Sequence, residues 1–419
     1  MIVKLPYGRT WCTCDVRGLR ILHLKPAVTK SPAPQRVLEQ AFSAPAVGPV
    51  LVDVARGKGA AVILVPDTTR RVPLPAVLPL VLAELARAGI AAHRVTVLVA
   101  SGTHPPVEEA LLRNHLGPLP PGVEVIQHQA RREEDLVPVG KLEDGTPVRL
   151  HRRVVETPCL LSVFTVQHHY FAGFGGGPKL VFPGVAGYEE IQRNHSRVMD
   201  LGVEPPRLHP CCQPGVLENN PVAEEIRQVA RLRPVDWSLA MVLDQQGVVA
   251  WADAGEGEAV WLAAVEQVRQ WYEVAAETVS RIVVSAGGYP SDFTLIQAHK
   301  ALDAASRWLV PGGEMLFVAD LGGGPGSPAM EPFLDDPRPE AIARKLRDRY
   351  VQYGHTTWRI VDKSHRFRIF LYSRLSRHLV RSLGFLPVEE PQEVVERWRA
   401  EGSEKLVGVM PGAPVYPAR

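Results

Sequence analysis

The chain has 419 residues, 46% hydrophobic and 22% charged, which is ordinary globular usage with enough apolar material for a sizeable core. Its 47 basic and 45 acidic side chains are scattered along the chain and leave a net charge of +2, with no basic block that could track a phosphate backbone, which argues against nucleic acid as a partner. The start, MIVKLPYGRT, has no charged leader before an apolar run, and no stretch approaches the roughly 18 consecutive apolar residues of a membrane span, so a cytoplasmic protein without a membrane partner is expected.

The five cysteines, Cys12, Cys14, Cys159, Cys211 and Cys212, are odd in number and unevenly spaced, which points to reduced thiols rather than a disulfide framework or a zinc site. Along the chain, short runs rich in Val, Ile and Leu alternate with longer segments of helical period. The pattern predicts an α/β fold of two domains, each with a mainly parallel sheet flanked by helices. The first clear unit is a βαβ, with a strand over Ala60–Asp67, a helix over Leu74–Ile90 and a strand over His93–Ser101. Further strands are expected over Val123–His128, Cys159–Tyr170 and Ser238–Gln245, and a long helical segment over Glu256–Glu277. A fresh strand begins at Arg281, so the boundary is set near residue 275: an N-terminal domain over 1–275 and a C-terminal domain over 276–404. The Pro-rich tail, 405–419, is expected to pack back on the first domain.

In open α/β sheets ligands gather where strands end, and polar residues there carry the chemistry. The segment PDTTRR closes the first strand with Asp67, Thr69 and Arg70 at a strand-to-helix turn, where free N–H groups favour an anion; Asp67 also suits a helix cap. One βα step later, ASGTHPP brings His104 to the matching position, so the two loops should lie side by side, although a lone loop histidine is usually just solvated. In VQHHYFAGFGGGPK, His168 and His169 end a strand and run into Gly175, Gly176 and Gly177 ahead of Lys179. Such glycines permit positive φ and close backbone approach, so N–H groups can wrap a phosphate or a flat ring while the lysine reaches in; the bland alternative is a flexible turn. The loop lacks a Gly-Lys pair, and Leu180 stands where Ser or Thr would hold magnesium, which disfavours a kinase or ATPase. His195, in IQRNHSRVMD, reads either as a helix-surface histidine or as a metal ligand whose partners come from elsewhere. In GGYPSDFTLIQAHKAL, Gln297 and Lys300 are spaced i, i+3 and share a helix face, fitting donors for a carboxylate or simply the polar face of an amphipathic helix.

In this order and spacing, these motifs resemble the nickel-dependent lactate racemase family, which includes other 2-hydroxyacid racemases and epimerases, from about Asp67 to the C-terminal tail. The resemblance implies two α/β domains with the active site in the interdomain cleft, and a pyridinium-type nickel pincer nucleotide as cofactor. By the same resemblance, Lys179 would bind that cofactor covalently, His195 would ligate nickel, and His104 and His169 would be the acid/base pair. Asp67, Thr69 and Arg70 match the family's Asp-x-x-Arg loop, with Arg70 near substrate or cofactor, while Gln297, Lys300 and Trp358 fall where the family binds substrate. The implied reaction inverts C2 of a small, lactate-like 2-hydroxy acid by reversible hydride transfer through a 2-keto acid, with cofactor-biosynthesis proteins as transient partners.

Two departures bear on the substrate: Pro105-Pro106 follows His104 where relatives carry Arg-Pro, and Ile296 precedes Gln297 where some have tyrosine. A sugar-acid C2 epimerase using the same cofactor is one alternative. The other is a non-catalytic phosphate- or nucleotide-binding module, in which the three histidines would be incidental.

Overall fold

The run Ala61–Pro66 is buried at every position, as a parallel strand covered on both faces must be. In the computed structural model, which describes residues 1–28, 33–402, 405–412 and 414–418, it lies near the middle of a six-stranded sheet. The strand order is Val249–Gly255, Trp237–Leu243, Leu160–Thr165, Ala61–Pro66, Val95–Ala100 and Glu124–Gln127. All neighbours are parallel except the hairpin pair Trp237–Leu243 and Val249–Gly255. The helix Leu74–Arg87 connects two adjacent strands and buries Leu74, Val77, Leu78, Val81, Leu82 and Leu85, the spacing of one helical face. These residues join Ile63, Val65, Val97, Val99, Leu161 and Trp237 in one core.

A second six-stranded sheet has the order Leu386–Pro387, Arg368–Tyr372, Leu309–Val318, Val279–Ser285, Leu406–Met410 and Arg20–His23, with every pair parallel. Its two faces pack separate cores, one around Trp308, Phe317 and Leu302 and the other around Trp398, Leu316 and Val283. The α/β architecture with mainly parallel, helix-flanked sheets is the one the sequence pattern predicts.

The partition of the chain differs from the expectation. One compact unit comprises 28–198 and 209–268, the other 1–27, 199–208 and 269–419. The N-terminal residues therefore do not belong with the first domain, because Arg20–His23 adds a parallel strand beside Leu406–Met410. The described tail strands pair within this second unit: Leu406–Met410 lies between Val279–Ser285 and Arg20–His23, and Tyr416–Pro417 pairs with Glu273–Val274, so the segments of 1–275 that the tail meets are those that leave the first domain. Pairing between strands nearly 400 residues apart in sequence leaves no local signal at either end. Residues 29–32, 403, 404, 413 and 419 of the expected segments lie outside the described residues. Among the described residues, no helix is long and apolar enough to cross a membrane.

Candidate functional site

The parallel pairing that sets Pro66 opposite Ala100 brings the two following loops side by side. Asp67 turns back on its own loop: its Oδ1 accepts from the Thr69 N–H at 3.0 Å and from the Thr69 hydroxyl at 2.5 Å, an Asx-type turn. Arg70 then donates from Nη1 to the Thr69 hydroxyl oxygen at 2.9 Å. The other carboxylate oxygen, Oδ2, meets His104 Nδ1 at 2.5 Å. Burial alone would raise the Asp67 pKa, but the hydrogen bond and charge of His104, the charge of Arg70 and the Thr69 hydrogen bond outweigh it and hold the carboxyl well below its usual range. Asp67 is thus a fixed anion with one oxygen for its loop and one for an imidazole.

The loop bearing His104 is tied to the glycine stretch, since the Gly102 N–H donates to the Gly184 carbonyl at 2.9 Å and Gly184 donates to the Lys179 carbonyl at 3.0 Å. The expected strand through Tyr170 ends earlier, at Thr165, and His168–His169 forms a separate two-residue hairpin arm against Gly173–Phe174. Gly176 and Gly177 follow with φ of 73° and 53°. A Cβ on Gly176 would stand 2.7 Å from the Thr165 carbonyl oxygen, and one on Gly177 would stand 2.3 Å from the Trp261 ring. The Trp261 indole donates to the Gly175 carbonyl at 3.0 Å. Two of the three glycines are therefore required by the chain's own close packing, whereas a Cβ on Gly175 would meet nothing closer than 3.7 Å.

The turn Gly177–Leu180 presents Lys179. Burial lowers its amine to a pKa of about 7, and the charge of Arg70 pushes in the same direction. Its Nζ lies 5.6 Å from the Phe171 ring centroid. His195, in the helix Tyr188–Ser196, is buried at 9% exposure rather than lying on the helix surface. Its pKa falls to about 3 through burial and then the charges of Lys179 and His104, so the imidazole is neutral. The backbone of Ile191, one turn earlier, opposes that shift, but its contact falls short of hydrogen-bond geometry, and Nδ1 is buried without a well-formed partner. The His195 ring is 5.2 Å from Phe171, and the His169 ring is 4.6 Å from the same phenyl at right angles. His169 accepts the Ala172 N–H at Nδ1 (3.2 Å).

One unit thus gathers Asp67, Arg70, His104, His169, Lys179 and His195. Sequence reasoning gave no role to Phe171, the common contact of His169, Lys179 and His195, or to Trp261, which holds the glycine turn. Phe171 sat inside the quoted glycine stretch and its place between the functional residues was the available signal; Trp261 lies 86 residues from Gly175 and offered none. Among the described residues, no three His, Cys, Asp or Glu side chains converge on a metal-sized space. A metal at His195 would draw its remaining ligands from a bound group.

Gln297, Lys300 and Trp358 belong to the other unit. Lys300 Nζ donates to Gln297 Oε1 at 2.6 Å across one face of the helix Leu295–Ser306, which leaves the Gln297 amide N–H groups as donors. Trp358 lies in the helix Gly354–Arg366, and its indole N–H is buried without an acceptor.

Comparison with known proteins gives a consistent result. Residues 7–203 match the family described as the lactate racemase N-terminal domain. The lactate racemase of Lactiplantibacillus plantarum is 30% identical over 308 residues, 73% of this chain and 71% of that protein. The lactate racemase of Thermoanaerobacterium thermosaccharolyticum is 28% identical over 353 residues, 83% of this chain and 81% of that protein. The solved apoprotein of the lactate racemase from the latter organism superposes with a TM-score of 0.87 over 100% of both chains at 24% identity, a likeness of fold. A Thermotoga maritima protein shares the fold more distantly, with a TM-score of 0.63 at 16% identity over 93% of this chain and 99% of that one.

Proposed function

Because the chain belongs to the lactate racemase family, a family of isomerases, we propose that it inverts C2 of a small, lactate-like 2-hydroxy acid using a nickel pincer nucleotide anchored on Lys179. The observation that carries this reading is the pairing of a lysine amine lowered to about 7 with a buried, neutral histidine whose own pKa the charge of that lysine helps to lower. An amine that is substantially unprotonated near neutral pH is a competent nucleophile for covalent attachment. A neutral imidazole is the form that ligates nickel, and the shortage of other protein ligands suits a group that brings its own. The residues therefore fit the cofactor, which when bound would accept and return hydride at C2 of the substrate.

The chain's own residues handle the protons and the carboxylate. His104 donates at Nδ1 to Asp67, so its Nε2 takes the substrate hydroxyl proton, and the carboxylate stabilises the imidazolium that forms. His169 serves the opposite enantiomer, whose hydroxyl arrives from the other side. Arg70, fixed by Thr69, neutralises the substrate carboxylate; in the other unit, Gln297, Lys300 and Trp358 are the residues proposed to bind substrate, as the resemblance to the family implies. Phe171 is the common neighbour of His169, His195 and the Lys179 amine, and its ring helps to desolvate that amine.

The test is racemisation of each lactate enantiomer by protein produced with the cofactor-biosynthesis proteins. Wild type should interconvert the two, while His104→Ala and His169→Ala should each lose conversion in both directions and retain nickel. Full racemisation by either variant would remove the two-base assignment, and activity on sugar acids but not lactate would shift the substrate within the same chemistry.

A further inference from the structure

The unit that does not hold Lys179 carries a cleft of its own, about 560 Å³, within the size range of small-molecule sites. It opens at the carboxyl ends of the parallel strands Val279–Ser285, Leu309–Val318 and Arg368–Tyr372, the edge at which open α/β sheets bind ligands. The tip of the N-terminal hairpin closes one side.

The frame is rigid. Asp292 is fully buried, and its Oδ2 accepts the Gly8 N–H at 2.7 Å and the Asp320 N–H at 3.2 Å, which joins the hairpin tip to the end of a central strand. Tyr289 donates its N–H to the Gly8 carbonyl at 2.8 Å. The second oxygen of Asp292 has no hydrogen-bond partner.

The lining is chemically specific. The Arg9 guanidinium lies over the Tyr289 ring at 4.2 Å and lines the cleft, and among the described residues no carboxylate is paired with it. Tyr289 and Phe293 are each 44% exposed and meet edge to face at 5.8 Å, offering apolar ring surface to the cleft. At the other end Asp320 holds Arg374 through two bonds of 2.6 and 2.5 Å and keeps lone pairs for hydroxyl donors. Its position at the end of the strand after a βαβ crossover is where open α/β sheets carry the carboxylate that accepts from ribose hydroxyls. The Tyr7 hydroxyl stays protonated, because burial and the Asp320 carboxylate push its pKa to about 12.

We infer that the cleft formed by Arg9, Tyr289, Phe293, Asp320, Arg374 and Tyr7 binds a nucleoside monophosphate, with the base against the exposed rings, the ribose hydroxyls on Asp320 and the phosphate on Arg9. The cleft's residues all belong to the unit that does not hold Lys179, and the inference does not depend on the reaction proposed for that lysine.

Calorimetry of the full-length apoprotein at low salt tests this with AMP, adenosine and ribose 5-phosphate as probes. AMP should bind with a dissociation constant below about 1 mM, and the two fragments at least about tenfold more weakly, since each lacks one anchor. Arg9→Ala should weaken AMP about tenfold and remove its advantage over adenosine, and Tyr289→Leu should also weaken it, at unchanged melting temperature. Lys179→Ala should leave AMP binding intact. No binding of AMP, equal binding of adenosine, indifference to both cleft substitutions, or loss in Lys179→Ala would each overturn the assignment.

Discussion

Asp67 and His104, 37 residues apart in sequence, meet through Oδ2 and Nδ1 at 2.5 Å, with the other carboxylate oxygen committed to Thr69. A carboxylate so fixed orients the imidazole and stabilises it when it takes a proton. Asp67→Asn preserves the shape and removes the charge, so racemisation should fall by about a hundredfold or more. Attachment of a cofactor at Lys179 should persist in the same variant, as read by intact mass. Activity near wild type in Asp67→Asn would show that the carboxylate only caps its loop.

Lys179 opposes folding in a pH-dependent way. Its folded pKa of about 7 lies below the ordinary 10.5, so the unfolded chain binds more protons between those values and stability rises with pH across that window, being lowest below about 7. Lys179→Met should raise the melting temperature of the apoprotein by a few degrees at neutral pH and flatten its rise from pH 7 to 10. A variant that melts below wild type would contradict the burial argument.

Glycines in the same loop should behave differently. Gly177→Ala places a Cβ against the Trp261 ring at a φ of 53°, and a cost of about 2–4 kcal/mol is expected from the clash and the backbone conformation together. Gly175→Ala adds a methyl in ordinary van der Waals contact at ordinary φ and should cost less than about 1 kcal/mol. Urea denaturation of the two apoproteins gives the comparison; equal losses would show that Trp261 does not fix the turn.

A second titration belongs to His128. His128 is fully buried, with Nε2 on the Ala186 carbonyl at 2.9 Å and its ring 5.7 Å from His151. Burial, helped by His151, lowers its pKa from 6.5 to about 4 despite that hydrogen bond. The folded state therefore resists protonation, and stability present above 6.5 is lost as pH falls toward 4. His128→Gln keeps a donor for Ala186 and should lose about 3 kcal/mol less than wild type between pH 7 and 4. Identical acid sensitivity would place the titration elsewhere.

The sequence was informative where chemistry is local. Continuous apolar runs such as Ala61–Pro66 and Val95–Ala100 announced buried parallel strands, and their adjacency carried the loops of Asp67 and His104 together. The Arg20–His23 strand escaped because four residues of mixed polarity have no period to read, and their partner lies at the other end of the chain. The helix Gly354–Arg366 is polar yet buries Thr356, Thr357, Arg359 and Lys363, since Asp303 meets Lys363 at 2.8 Å and Arg359 at 3.3 Å inside the fold. His195 misled for a related reason: a polar helix from Tyr188 to Ser196 suggested a surface, and only packing against Phe171 shows it to be covered. Charge compensation and distant aromatic partners are tertiary facts, without a signature in the spacing of either residue alone.

Anchoring of the cofactor on Lys179 beside His195 is read most simply by a native mass spectrum of the protein produced together with the cofactor-biosynthesis proteins. An added mass equal to nickel plus the pincer nucleotide is expected in wild type and not in Lys179→Ala. No adduct in wild type, in a host where a lactate racemase of the family does load, or an adduct retained in Lys179→Ala, would contradict it.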